Sequence, residues 1–164
     1  MRKTDELGDQ HATPTELAWL AGFIDGEGSI LLHKDVRKGR VDYRPRVSWA
    51  NTDPAVIDHA DTILRKLGIR ALLYEQDRAE WKKIVLHAQL CRFAQIEVLL
   101  TALMPYLVGK RAKASLLLKW TRDRIARGKE LVSDEKAYLE MRAMNTRGAV
   151  RDIEQDRASN PRMM

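Results

Sequence analysis

The sequence contains a single cysteine, Cys91, in 164 residues. That excludes an intramolecular disulfide and a multi-cysteine zinc site, and it fits a reducing, intracellular setting. Cys91 falls inside a predicted helix, where it reads as a buried structural thiol. Long apolar runs are missing as well. No segment approaches the roughly eighteen residues that cross a bilayer. The amino-terminal MRKTDELGDQHATP lacks the apolar stretch of a secretory leader, so we expect a soluble protein with no membrane partner and no targeting signal. No internal repeat is visible, and His11, His33, His59 and His87 do not form a His-Asn-His nuclease arrangement.

What the chain does have is positive charge: 29 Lys and Arg against 23 Asp and Glu give a net +6. This suits a polyanionic partner without identifying one. A hydrophobic content of 45% is enough for one core. We divide the chain into a flexible tail at 1–12, a core at 13–128, a helical extension at 129–148 and a flexible tail at 149–164. Both tails are polar and lack a convincing period.

Punctuation and periodicity order the core. Thr13-Pro14-Thr15-Glu16 has the layout of a capping box with proline at the first helical position, and it predicts a helix over Pro14 to Gly26. Two alternating runs follow, with Ile30, Leu32 and Val36 on one face of the first and Tyr43, Pro45, Val47 and Trp49 on one face of the second. They read as a long hairpin turning at Lys38-Gly39-Arg40, with Pro45 marking an irregular or edge position. Asp53-Pro54 opens a helix that runs through Leu67 and stops at Gly68. A second hairpin has strands near Arg70 to Gln76 and Trp81 to Ala88, with its turn around Asp77-Arg78-Ala79. Helices follow at about Leu90 to Met104, Gly109 to Ala126 and Ser133 to Met144, the last capped by Ser133. The order is αββαββα plus helices.

The first helix carries the most informative pattern. Ala18, Gly22 and Gly26 recur every four residues, so almost no side chain stands on that side and another backbone can come close. Glu27 sits at the helix C-terminus, where the last carbonyls carry partial negative charge. A carboxylate there is destabilised unless a cation, such as a divalent metal, neutralises it.

The run Leu20-Ala21-Gly22-Phe23-Ile24-Asp25-Gly26-Glu27-Gly28 resembles the signature of the LAGLIDADG homing endonucleases. The resemblance extends over about Thr15 to Lys119. It implies an α+β fold, the LAGLIDADG homing-endonuclease fold, with a saddle-shaped antiparallel sheet and additional C-terminal helices. A single copy of the signature implies a homodimer joined through Ala18, Gly22, Asp25 and Gly26. In the family, the acid matching Glu27 and the carbonyl matching Gly26 bind divalent metal, here Mg²⁺, with Mn²⁺ or Ca²⁺ able to substitute for binding. Asp25 is two residues from Glu27 and points to another side of the helix end, so we assign it a structural capping role.

Lys110, in Pro105-Tyr106-Leu107-Val108-Gly109-Lys110, resembles the lysine that enters the family's site from a later helix. Its alternative is a solvated basic residue beside Arg111 and Lys113. Asn51 matches a place where relatives carry a polar amide near the metals, and it is equally a turn residue before Asp53-Pro54. Ala55 stands where some relatives add an arginine, so that part of the solvent network is not carried over.

The polar face of the first hairpin presents Leu31, His33, Asp35 and Arg37 on one strand and Asp42, Arg44, Arg46 and Ser48 on the other. A two-stranded ribbon fits the major groove of double-stranded DNA, where Arg reads guanine and Asp accepts from cytosine. Tyr74, Gln76, Lys83 and Val85 join that face if the second hairpin keeps its register, and a slip of one residue reverses them. Lys38, Arg40, Arg111 and Lys113 suit phosphates, whereas Arg122, Arg124 and Arg127 read as a wet helix face. The resemblance implies a long, nearly palindromic target, cleavage of both strands with short 3′ overhangs, and a role in intron or intein mobility. The competing reading is an RNA maturase acting on its own intron RNA, or a noncleaving DNA-binding regulator. The retained Glu27 and Lys110 favour the nuclease. Asp77 with Glu80-Trp81-Lys82 only weakly imitates a PD-(D/E)xK site.

Overall fold

The computed structural model describes residues 11–78 and 83–159, with side chains described for 11–76 and 84–145. The expectations for residues 1–10, 79–82 and 160–164 lie outside the described residues. Element order is α1 (Pro14–Glu27), β1 (Gly28–Arg37), β2 (Arg40–Asn51), α2 (Pro54–Lys66), β3 (Leu72–Arg78), β4 (Lys83–Leu90), α3 (Phe93–Leu103), α4 (Arg111–Arg127) and α5 (Leu131–Ser159). The architecture is α+β, with five helices and a four-stranded antiparallel sheet ordered β1-β2-β4-β3 among the described residues.

Local chemistry explains the boundaries. Thr13 caps α1 by accepting from the Glu16 N–H at 3.3 Å, and the Glu16 carboxylate accepts the Thr13 N–H at 2.8 Å. Asp53 caps α2 by accepting from the Ala55 N–H at 2.9 Å, with Pro54 opening the helix. The end of α2 is a Schellman motif. Gly68 takes φ 72°, its N–H donates to the Arg65 carbonyl, and the Ile69 N–H reaches back to Leu64. The β1–β2 connection is two residues, Lys38 at φ 49° and Gly39 at φ 76°, the left-handed pair of a type I′ hairpin turn.

The helices cover one face of the sheet. Ile30, Leu32, Tyr43, Val47, Trp49, Ala88 and Leu90 are buried beneath them, against Leu20, Ala21 and Ile24 of α1 and Ile96, Leu99, Leu100 and Leu103 of α3. The register is continuous. Leu31 pairs with Arg46 and His33 with Arg44 between β1 and β2, Ser48 pairs with Gln89 between β2 and β4, and Gln76 pairs with Val85 between β3 and β4. Since β4 pairs only with Val47 to Asn51, Pro45 occupies a stretch of β2 unpaired on that side, where a missing N–H breaks no ladder bond.

Several expectations shift. Leu90 belongs to β4 through its pairing with Val47, so the third helix starts at Phe93. Cys91 therefore sits half-buried between strand and helix instead of inside a helix. The turn expected at Asp77-Arg78-Ala79 is displaced, because Asp77 and Arg78 continue β3 opposite Ile84 and Lys83. The last helix begins at Leu131, and its backbone runs to Ser159, through most of the segment expected to be a tail from 149. Ser133 does not cap it; its hydroxyl donates to the Glu130 carboxylate at 2.9 Å.

Candidate functional site

The C-terminal end of α1 and the start of α4 are stitched together by Asp25. Its carboxylate accepts the N–H of Val108 at 2.7 Å, Gly109 at 3.1 Å and Lys110 at 2.8 Å. Those donors lead into α4, whose positive dipole end favours a carboxylate there. Burial raises the pKa of Asp25, but the three N–H donors and the Lys110 charge outweigh it and hold the carboxyl below its usual range. The Asp25 carboxylate is thus used within the chain, in the capping role expected of it.

Lys110 answers the same contact. Its ammonium donates to the Asp25 carbonyl oxygen. Partial burial pushes the Lys110 pKa down and Lys113 adds to this, against the opposing pull of Asp25 and Glu27. Lys110 is thus held at the helix end that carries Glu27, and it is not one more solvated cation of the α4 surface. The Glu27 side chain is exposed and makes no hydrogen bond or ion pair among the described residues. Gly28 follows directly, its N–H donating to the Ile24 carbonyl, and a Cβ there would lie 2.5 Å from that oxygen. Only glycine lets the chain leave α1 so closely.

Among the described residues nothing covers the small-residue face of α1. Ala18, Gly22 and Gly26 are exposed, and a methyl group added at Gly22 or Gly26 would meet nothing within 4 Å. Beside this face, Trp19 stacks on Phe23 at 5.4 Å and meets the His59 ring edge-on at 4.4 Å.

The uncovered face of the sheet gathers the residues expected to share it. Alternation and register place Leu31, His33, Asp35 and Arg37 with Arg40, Asp42, Arg44, Arg46 and Ser48, and add Tyr74, Gln76 and Val85 across β4. The Lys83 backbone lies at the matching position opposite Arg78. Lys38, Arg40 and Arg111 are exposed, and Lys113 is half-buried. Within this face Arg37 pairs with Asp35 at 3.0 Å. The Arg46 Nε and the His87 Nε2 are buried without a hydrogen-bond partner among the described residues. Members of the face that were not anticipated include Ser29, Ala50, Leu72, His87 and Gln89. His87 stacks flat on Tyr74, with centroids 5.0 Å apart and planes 4° from parallel. Finding it required the β3–β4 register, which periodicity alone does not fix.

Two expectations change at the margins. The Asn51 side chain accepts the Asp53 N–H at 2.9 Å, the turn role that was the alternative for it. Arg122, Arg124 and Arg127 are not a wet face. Arg122 pairs with Glu97 at 3.0 Å, Arg127 with the buried Asp134 at 3.3 Å, and Arg124 with both Asp134 and Asp42. Their spacing looked like a solvated stripe because their acidic partners lie on other elements.

Hard oxygen donors are what Glu27 and the Gly26 carbonyl offer, and these fit Mg²⁺. Among the described residues no group of three His, Cys, Asp or Glu side chains is placed to hold a metal. No helix among the described residues is long and apolar enough to cross a membrane.

Comparison with known proteins agrees with this geometry. The fold is similar to that of the homing endonuclease I-CvuI, solved in complex with a DNA target in the presence of Mg, with a TM-score of 0.64 and 22% identity over 84% of this chain and 82% of that one. It is also similar to the archaeal intron-encoded homing endonuclease I-Vdi141I complexed with DNA, with a TM-score of 0.61 and 17% identity over 81% of this chain and 83% of that one. The homing endonuclease I-TnaI gives a TM-score of 0.59 and 15% identity over 85% and 96%. An uncharacterised protein of Methanocaldococcus jannaschii is 39% identical over 66 residues, which is 40% of this chain, and the match spans only 24% of that relative. The sequence profile of the LAGLIDADG-like domain matches residues 14–102, the span from the start of α1 into α3, and the chain belongs to that family.

Proposed function

We propose that this chain is a site-specific double-strand DNA endonuclease that works as a homodimer. Two α1 helices pack through Ala18, Gly22 and Gly26, where the lack of side chains permits close approach, and the twofold axis sets one Glu27 beside its mate. Two like charges at two helix C-termini repel each other. The pair therefore makes sense as a site where both Glu27 carboxylates and Gly26 carbonyls would hold Mg²⁺, with Mn²⁺ or Ca²⁺ as substitutes for binding. When bound there, a divalent ion would supply Lewis-acid chemistry at the phosphodiester.

The chain's own groups do the rest. Lys110, anchored on the Asp25 carbonyl, presents a cation whose lowered pKa suits proton exchange with water or stabilisation of the phosphate oxygens. The bare sheet face receives the duplex in the major groove, with Arg44, Arg46, Gln76 and Tyr74 reading base edges and Lys38, Arg40 and Arg111 touching phosphates. A twofold protein calls for a long, nearly palindromic target, cut on both strands to leave short 3′ overhangs. Relatives described as homing endonucleases support intron mobility as the setting.

One observation carries this reading: an exposed Glu27, with no side-chain partner among the described residues, closes a helix whose small-residue face none of the described residues covers. The test is to select cleavable duplexes from a randomised pool with Mg²⁺ present, and then to assay Glu27→Gln on the selected target. Duplex binding should persist and cleavage should disappear. Retained cutting would overturn the site.

A further inference from the structure

Asp134 is the one wholly buried charged side chain among the described residues, at 0% exposure. One of its oxygens accepts from the Trp120 indole at 3.0 Å and from Arg127 at 3.3 Å. The other accepts from the Glu130 N–H at 3.3 Å and from Nη1 of Arg124. Arg124 has a second arm. Its Nη2 reaches the Asp42 carboxylate at 3.2 Å, on the part of β2 that β4 leaves unpaired. The other oxygen of Asp42 stands 3.4 Å from Nε of Arg44.

Arg124 is only 12% exposed, and its guanidinium lies 5.9 Å from the Phe93 ring centre and 5.8 Å from that of Trp120. A planar guanidinium fixed on one side by a buried acid and flanked by two rings cannot follow a moving partner. Asp42 must therefore come to it. Lys129 holds the same place, donating to the Val41 carbonyl at 2.6 Å. Asp42, which the sequence offered as a base-reading residue, is thus occupied inside the chain. Arg44, 56% exposed on the duplex-facing side, makes no bond through its outer guanidinium donors among the described residues, while Asp42 holds its Nε.

We propose that Arg124 is a positioning residue for target choice. Through Asp42 it fixes the direction of Arg44 before DNA arrives, so the α4–α5 corner acts on the base pair that Arg44 reads. Prior ordering of an exposed arginine removes a cost otherwise met on binding. This inference rests on the DNA-binding reading above.

Arg124→Lys tests it, because lysine keeps a cation beside Asp134 but lacks the forked pair of nitrogens by which Arg124 reaches Asp134 and Asp42 at once. Asp42→Asn is the second variant, which retains an acceptor for the Tyr43 N–H now bonded at 3.0 Å. Each base pair of the selected duplex is changed in turn, and binding is measured for the wild type, both variants and Arg44→Ala. Arg44→Ala should lose discrimination at one pair, and Arg124→Lys and Asp42→Asn should lose about tenfold at that same pair and nowhere else. Added to Arg44→Ala, either change should do nothing further there. An even loss across all pairs, or additive losses, would overturn the proposal. If the wild type binds no duplex at all, it is the DNA-binding reading that fails. The positioning claim is then decided by the Arg44 Nε–H resonance of the free protein, which must move in Arg124→Lys.

Discussion

Replacing Gly22 by leucine should strengthen the single chain and weaken the pair. Gly22 lies inside α1, and a Cβ at that position meets nothing within 4 Å, so the isolated fold has room for a side chain. Glycine in a helix interior is less favourable than leucine by roughly 0.8 kcal/mol. At concentrations where the protein is monomeric, that gain should raise the melting temperature by about 2–3 °C for a chain of this size. In the proposed homodimer the same substitution would place two leucines where two backbones are meant to touch, and the helices would be forced apart. Association should fall, and the concentration-dependent part of the thermal stability should fall with it. Sedimentation equilibrium gives the dissociation constant, and melting curves at several concentrations separate the two effects. An unchanged dissociation constant would refute pairing through this face, and a destabilised monomer would refute its bareness.

Two further outcomes follow from local geometry. Gly28→Ala puts a methyl 2.5 Å from the Ile24 carbonyl and 2.9 Å from its Cα, backbone atoms that cannot move aside alone, so urea unfolding should show a loss of roughly 1–3 kcal/mol; a neutral result would mean that α1 ends differently. Glu16 is held at a pKa of about 2, against an ordinary 4.5, by its bond to Lys66 and the Thr13 cap. A carboxyl depressed in the folded state adds stability that is complete above 4.5 and is lost as pH falls from there toward 2, so Lys66→Met should flatten the acid side of the stability profile within that window.

Much of the fold was legible because its signals are local. The capping box at Thr13, the Asp53-Pro54 start, the Gly68 stop and the alternation of Tyr43, Val47 and Trp49 each act within a few residues. The missed features are those fixed by partners distant in sequence. Leu90 looks helical until Val47 pairs with it. Arg124 looks solvated until Asp134 and Asp42 close around it. The role of Asp25 was legible only as capping, since its donors at Val108 to Lys110 lie 83 to 85 residues further along the chain. His87 gave no periodic signal of its own, because its place opposite Tyr74 depends on the register of two strands.

The knot at Asp25 makes the segment between α3 and α4 a ruler. Loops at a protein surface generally accept an added residue, but here the peptide groups of 108–110 are clasped by a carboxylate two positions before Glu27. One residue more or fewer between Leu103 and Arg111 would leave every packed surface of the two helices intact while dragging the Lys110 amine off its mark. A residue added at the Lys38-Gly39 turn would leave that clasp untouched, whereas this connection has no such latitude.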